Sequence, residues 1–473
     1  MKNFASIIFV VLVSCLTIFS CRQTPQRDTT ALPVISASNA DYAKRPFPDW
    51  AKNASIYEVN VRQYTPEGTF KAFATHLHRL KEMGVDILWF MPIHPISRAK
   101  RKGTLGSYYA VADYKAVNPN FGSPEEFKAL VDTIHELGMH VILDWVPNHT
   151  GWDNHWIKEH PDWYTQDKEG HIVDPINPQT GKSWGWTDVA DLNYDNAAMR
   201  RAMIDALKFW ITNFHVDGYR CDVAHGVPLD FWEQAVDSLN KIKVVFMLAE
   251  SEKPALRNSA CFIADYGWTF LHLMNSIAEG SKDATDLDEY LTKDASRYNR
   301  GFHMNFTTNH DENSWSGTVF ERLGEGQLTF AALAFTLGGM PLIYSGQEAG
   351  LNKRLAFFEK DTIEWGNFKY ANFYKTLLDL KHRNKALWNG KFGGKVERIP
   401  TGNDKNVFAF QREKDGDKVV VILNLSDYPQ DAKLKGDLHM GKYNNVFAQG
   451  TTILTEDMMM NLNPWDYLVL SNK

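Results

Sequence analysis

Four short segments carry the residues best able to do covalent chemistry. They are D-W-V-P-N-H-T (Asp144 to Thr150), G-Y-R-C-D-V-A-H (Gly218 to His225), M-L-A-E (Met247 to Glu250) and T-N-H-D-E-N (Thr308 to Asn313). Each closes an apolar run. One carboxylate at such a place is ordinarily an N-cap for the next helix; four in one chain are hard to explain that way. If Asp222 and Glu250 end adjacent strands, about 4.8 Å apart, their carboxyl groups approach to roughly 5 Å. At that separation one carboxylate attacks a sugar directly while the other handles the proton, whereas inverting chemistry needs a wider gap for water. Arg220 precedes Asp222 by two residues and shares its strand face. Its guanidinium should keep Asp222 ionised, as a nucleophile must be. Glu250 has the opposite need: nearby negative charge and partial burial should raise its pKa and retain a proton for the leaving oxygen.

The surrounding pattern says what positions these residues. Apolar runs at Ile56–Val61, Val85–Pro92, His140–Val146, Tyr219–Ala224, Val244–Ala249, Phe302–Thr307 and Pro341–Ser345, with a weaker one at Cys261–Tyr266, make eight. Helical stretches separate most of them, among them Phe70–Met83, Pro124–Leu137, Ala198–Phe214, Leu229–Leu239 and Leu328–Leu337. Strands buried on both faces and alternating with helices imply a parallel sheet under helices. Eight such units predict an α/β fold, a closed (β/α)8 TIM barrel, with functional residues at the C-terminal strand ends. The long interval between Asp144 and Asp222 exceeds one unit, which predicts a short insertion after strand three at about 151–196, rich in Trp, Pro, Gly and Asp. The barrel should span 46–385. From 386 to 473 short strands such as Val407–Gln411, Lys418–Leu425, Ala432–Leu434 and Tyr467–Leu470 predict an antiparallel β-sandwich, with Asp415-Gly416 as a turn.

Bulk properties narrow the partners. Net charge is −6 without long single-sign runs, so nothing electrostatic calls for nucleic acid. Aromatic residues make up 13% of the chain; a large core accounts for most of them, a site for flat, uncharged sugar rings is the alternative for the rest, and composition does not separate the two. At the N-terminus, Lys2 precedes an apolar run from Phe4 to Phe19, short for a membrane span. Ser20-Cys21 and the polar Arg22–Arg27 follow. This resembles a bacterial lipoprotein signal over 1–21, with Cys21 lipidated and 22–45 a tether; Cys15 is a rival site, and an ordinary cleaved secretory signal is the alternative. The expectation is an exported protein, anchored to a membrane through Cys21, periplasmic or on the cell surface. Cys221, in an apolar run, reads as a small buried residue, and two internal cysteines do not make a disulfide framework.

Taken together, these segments resemble the α-amylase family, glycoside hydrolase family 13. The likeness rests on Asp144-x-x-x-Asn148-His149, Gly218-x-Arg220-x-Asp222, Glu250 and Asn309-His310-Asp311. Gly106-x-x-Tyr109 leading to Asp113-Tyr114, Asp191-Leu192-Asn193, and Gly339-Met340-Pro341 with Tyr344-x-Gly346-Gln347-Glu348 add to it. It covers about residues 50–470. The resemblance implies Asp222 as nucleophile, Glu250 as general acid/base and Asp311 as the carboxylate that favours the distorted transition state. It implies His149 and His310 on hydroxyls of the same sugar, Tyr109 stacked on its face and Arg220 beside the nucleophile. Many members carry Lys-His at the third and fourth positions after the nucleophile; here they are His225 and Gly226, which leaves leaving-group contacts such as that of His225 open. Asn148 and Asp191 match two oxygen ligands of a calcium ion in many members.

The resulting expectation is hydrolysis of α-1,4-glucosidic bonds in starch-like glucans or maltooligosaccharides. A cyclomaltodextrinase-like, neopullulanase-like or transglycosylating enzyme is the near alternative. A non-catalytic glycan-binding lipoprotein is the distant one, disfavoured because all three carboxylates and Arg220 are present.

Overall fold

The computed structural model describes residues 45–177 and 180–473. The leader, Cys21 and all of the tether but Arg45 lie outside them. Eight strands close a parallel barrel in chain order: β1 (Ile56–Val59), β2 (Ile87–Phe90), β3 (His140–Trp145), β4 (Gly218–Cys221), β5 (Phe246–Ala249), β6 (Ala264–Tyr266), β7 (Phe302–Asn305) and β8 (Met340–Tyr344). Every strand residue except His140 is buried, because helices cover the outer face and side chains fill the interior. The faint run at Cys261–Tyr266 contributes a real, three-residue strand.

Local chemistry sets the helix boundaries. Pro124–Glu136 starts with a reciprocal Ser123–Glu126 capping box and a proline in its first turn. The predicted helix over Phe70–Met83 is two, Phe70–Ala74 and Leu77–Met83, broken at Thr75-His76. Asp286–Arg297 is a helix the sequence reading did not place; it buries Leu287 and packs Tyr290 and Leu291 against the core. Among the described residues no helix is long and apolar enough to cross a membrane.

Between β3 and the helix Ala197–Phe214 the chain leaves the barrel. His149–Gly151 pairs antiparallel with Val189–Asp191, so the ribbon sets His149 opposite Asp191. Trp156, Trp163 and Tyr164 are buried in this segment. The C-terminal part is a six-stranded antiparallel sheet with a two-stranded ribbon, Gln430–Lys433 with Met459–Leu462, packed over it. Val407, Ala409, Val420, Ile422, Ala432, Leu434 and Leu462 fill the space between. Its central hairpin turns at Asp415 (φ 53°) and Gly416 (φ 83°), the two positive φ values that a tight two-residue turn demands.

Register is what positions the site. Asp144 pairs with Arg220 between β3 and β4, and Cys221 pairs with Ala249 between β4 and β5. Asp222 and Glu250 are therefore the next residues out on neighbouring strands. The close approach of β4 to β5 requires Gly218, where an added Cβ would lie 1.8 Å from the Phe246 carbonyl oxygen.

Candidate active site

Arg220 stands at the centre of the C-terminal barrel mouth with no exposed side-chain surface. Its Nη1 donates to Asp144 Oδ1 at 2.9 Å and to Asp222 Oδ1 at 2.8 Å. Its Nε donates to Tyr266 Oη at 3.0 Å. Nη2 lies 3.1 Å from Glu250 Oε2, an ion-pair contact without hydrogen-bond geometry. The rings of Trp89, Tyr266 and Tyr109 stand 5.2, 5.4 and 5.7 Å from the guanidinium carbon. Three carboxylates thus share one buried cation inside an aromatic cage.

Asp222 and Glu250 differ in what else they meet. Chain direction turns sharply after Asp222: Val223 sits at φ 42°, ψ 42°, a strained conformation for a β-branched residue. The turn aims the Val223 N–H at Glu250 Oε2, 2.8 Å away. Burial raises the Glu250 pKa, but Arg220 and this N–H outweigh it and hold the carboxyl below its usual range. Burial and then the neighbouring Glu250 charge push Asp222 well up. The free site therefore reverses the expectation of an ionised Asp222 beside a protonated Glu250. Arg220 and the Val223 N–H, a donor set by backbone conformation, favour the charged form of Glu250. The two carboxyls titrate as one pair.

The other predicted residues gather on the same mouth. Tyr109 Oη donates to Asp144 Oδ2 at 3.1 Å and lies 2.7 Å from His310 Nε2. Tyr109 and His310 stack at 5.5 Å. His310 Nε2 is 3.3 Å from Asp311 Oδ2, and the Asp311 side chain is 35% exposed, open to an incoming molecule. A single π turn, Glu312–Ser316, follows Asp311. His149 is buried, which lowers its pKa to about 4, so its ring is neutral. A cavity of about 420 Å³ brings together Tyr109, His149, Asp222, Glu250, His310 and Asp311. Arg220 lies beneath it.

His225 stands apart from that cavity. It lines a second one of about 800 Å³, with Trp184, Trp186, Lys253 and Trp268, that meets the first at Trp186, Val223 and Glu250. Trp184 and Trp186 stack at 5.7 Å, and Trp184 is 45% exposed. Asn148 and Asp191 line this second cavity as well. Burial raises Asp191 to about 6, and no cationic side chain pairs with it among the described residues. At Gly226 an added Cβ would come within 2.6 Å of Asn148 Oδ1, so glycine leaves that oxygen room. An uncompensated carboxylate beside an amide oxygen fits a hard cation such as calcium. No group of three or more His, Cys, Asp or Glu suited to a metal occurs among the described residues.

Several contributors escaped the sequence reading. Glu58 on β1 bonds His310, Trp89 Nε1 donates to Asp144 Oδ2 at 3.2 Å, and Trp315 and Phe357 line the first cavity. Lys102 and Asp188 pair at 2.8 Å on its rim. A carboxylate inside the apolar Ile56–Val59 was the one available signal for Glu58.

Known proteins resemble the chain in both halves. The α-amylase catalytic-domain model matches residues 36–245, and that of the α-amylase C-terminal all-β domain matches 401–470. Alpha-amylase MalA of Haloarcula japonica is 26% identical over 446 residues, 88% of this chain and 63% of MalA. The chain thus spans less than two thirds of that relative. A cyclomaltodextrinase of a Bacillus species is 24% identical over 83% of this chain and 76% of its own. The crystal structure of a noncanonic maltogenic alpha-amylase, AmyB from Thermotoga neapolitana, aligns with a TM-score of 0.79 and 28% identity, over 89% of this chain and 98% of that one.

Replacing Arg220 by Met leaves Asp144, Asp222 and Glu250 buried without a cation. The variant should lose roughly 3–5 kcal/mol of stability, read by denaturant unfolding. Wild-type stability in that variant would mean that Arg220 does not balance these charges.

Proposed function

For a chain that belongs to the α-amylase family, glycoside hydrolase family 13, we propose retaining hydrolysis of α-1,4-glucosidic bonds in starch-like glucans or maltooligosaccharides. The observation that carries this reading is the pair Asp222 and Glu250, side by side at the ends of β4 and β5 and both in contact with Arg220. Neighbouring strand ends suit direct attack, since an inverting pair leaves room for a water between them.

The chemistry follows from the geometry. A sugar ring in the first cavity lies against Tyr109, with its hydroxyls near His149, His310 and Asp311. The glycosidic oxygen takes the place of Val223 N–H as the partner of Glu250, and the pair's proton moves from Asp222 to Glu250. Asp222, still held by Arg220 Nη1, attacks the anomeric carbon as Glu250 protonates the leaving oxygen. Glu250 then takes a proton from water, which attacks the anomeric carbon and releases Asp222. The excess of carboxylate around the ring stabilises the positive charge that develops on it.

A second reading, transfer of the glycosyl group to another sugar, is favoured by the larger second cavity. Its stacked Trp184 and Trp186, with Trp268, offer flat apolar faces to an acceptor ring. The leaving sugar of hydrolysis occupies the same place.

We also propose that calcium is held by the oxygens of Asn148 and Asp191. It would act as a structural tie between the insertion and the β3 end, with no step in the reaction. Calcium added after chelation should raise the melting temperature of wild type but not of Asp191→Asn. No shift in wild type would reject the site.

Reducing-sugar release from amylose, pullulan and cyclodextrin tests the main reading. Wild type should release sugar from at least one of them. Glu250→Gln should slow release by about 10²–10⁴-fold, and Asp222→Asn should abolish it. No release by wild type from any α-glucan would overturn the reading, and an active Asp222→Asn would overturn the nucleophile.

A further inference from the structure

Glu58 is a fully buried carboxylate on β1, paired in register with Trp89 of β2 and Tyr344 of β8. Such a charge is expensive inside a barrel unless it is paired. Its Oε1 lies 2.5 Å from His310 Nδ1, and its Oε2 has no hydrogen-bonding protein partner. No lysine or arginine forms an ion pair with it among the described residues; His310 is its counter-charge.

The hydrogen bonds around His310 fit a doubly protonated ring. Tyr109 has one hydroxyl proton, and it goes to Asp144. At the 2.7 Å contact with Tyr109 Oη, His310 Nε2 is therefore the donor. Nδ1 faces a carboxylate and donates as well. A ring that donates from both nitrogens is an imidazolium. Glu58 from β1, Asp311 from its own loop, and, further off, Asp144 of β3 and Glu250 after β5 favour the cation, and Arg220 from β4 opposes it. Burial alone would lower the His310 pKa. The charges of Asp311 and Glu58, with the Glu58 hydrogen bond, raise it to about 9.

We propose that Glu58 is a positioning residue of the reaction, holding His310 as an imidazolium whose Nε2 proton fixes Tyr109 Oη at the wall of the sugar site. Without Glu58, a neutral His310 could keep its proton on Nδ1 and present a bare lone pair at Nε2. It would then lose its attraction for Asp311 Oδ2, 3.3 Å away, and its hydrogen bond to Tyr109 Oη. Glu58 touches no substrate; it acts through His310 on the orientation of Asp311 and of the ring. This inference rests on the proposed glycosidase activity.

The test compares wild type with Glu58→Gln, which keeps shape and an accepting oxygen but not the charge. Loss of an oriented donor should lower kcat by roughly ten- to a hundredfold, with a smaller change in KM. The sign of the pH effect is set by a raised pKa: the cation is present below it and lost as pH rises through it. In wild type the alkaline limb assigned to His310 lies near 9; in Glu58→Gln it should move down by roughly 1–3 units. A Glu58→Gln enzyme with the wild-type kcat and alkaline limb overturns the proposal. So does a reduced kcat whose alkaline limb has not moved, since that marks a merely structural role. If Glu58→Gln does not fold, the ring resonance of 13C-labelled His310 in wild type decides instead. It should stay protonated through neutral pH; titration near 6.5 overturns the proposal. An inactive wild type would count against the glycosidase reading, whereas this resonance is read without substrate.

Discussion

Arg220 is the interaction on which the rest of the site depends. A guanidinium with no access to water binds Asp144 and Asp222 through one nitrogen and meets Glu250 through another. Each carboxylate would be costly to bury alone. Together with one cation and the surrounding rings of Trp89, Tyr109 and Tyr266 they become tolerable, and their positions are fixed by strand register. The barrel needs the arginine to bury the acids, and the acids need the register to find the arginine. The glycine at 218 is part of the same constraint, because it lets β5 come close enough for Glu250 to share the guanidinium.

A second buried ion pair completes the mouth from the opposite side. His310 links Glu58, Tyr109 and Asp311, and Tyr109 links back to Asp144 and so to Arg220. Two cations thus stand among five carboxylates in one connected network. The surplus of negative charge suits a reaction whose transition state carries positive charge on a sugar ring. The strained backbone at Val223 adds a donor to Glu250 and, with Arg220, holds its carboxyl down.

The barrel was legible because eight apolar runs alternate with helices and because polar residues cluster where those runs end. Even the faint run ending at Tyr266 is a strand. Asp222 and Glu250 were legible as neighbours because one βα unit separates them. Arg220 was legible because residues two apart share a strand face. Glu58 was harder: a single acid in four apolar residues carries no spacing to mark it, and its partner is 252 residues away. The reversed proton preference was not legible at all, since a left-handed valine leaves no trace in composition. Trp186, Asp188 and Lys102 lie in irregular segments, where neither a period of two nor one of 3.6 fixes which side chains meet. The helix Asp286–Arg297 was missed although Leu287, Tyr290 and Leu291 fall at helical spacing, because the rest of the segment is mostly charged and polar.

The central claim is that Asp222 attacks the sugar directly while Glu250, one strand away, moves the proton. The most direct measurement is the anomeric configuration of the first product released from an α-linked maltooligosaccharide, followed by proton NMR before mutarotation sets in. The account predicts that the α-anomer appears first and the β-anomer grows only as mutarotation proceeds. A β-anomer formed first would mean a single displacement by water, and would contradict the roles assigned to the pair.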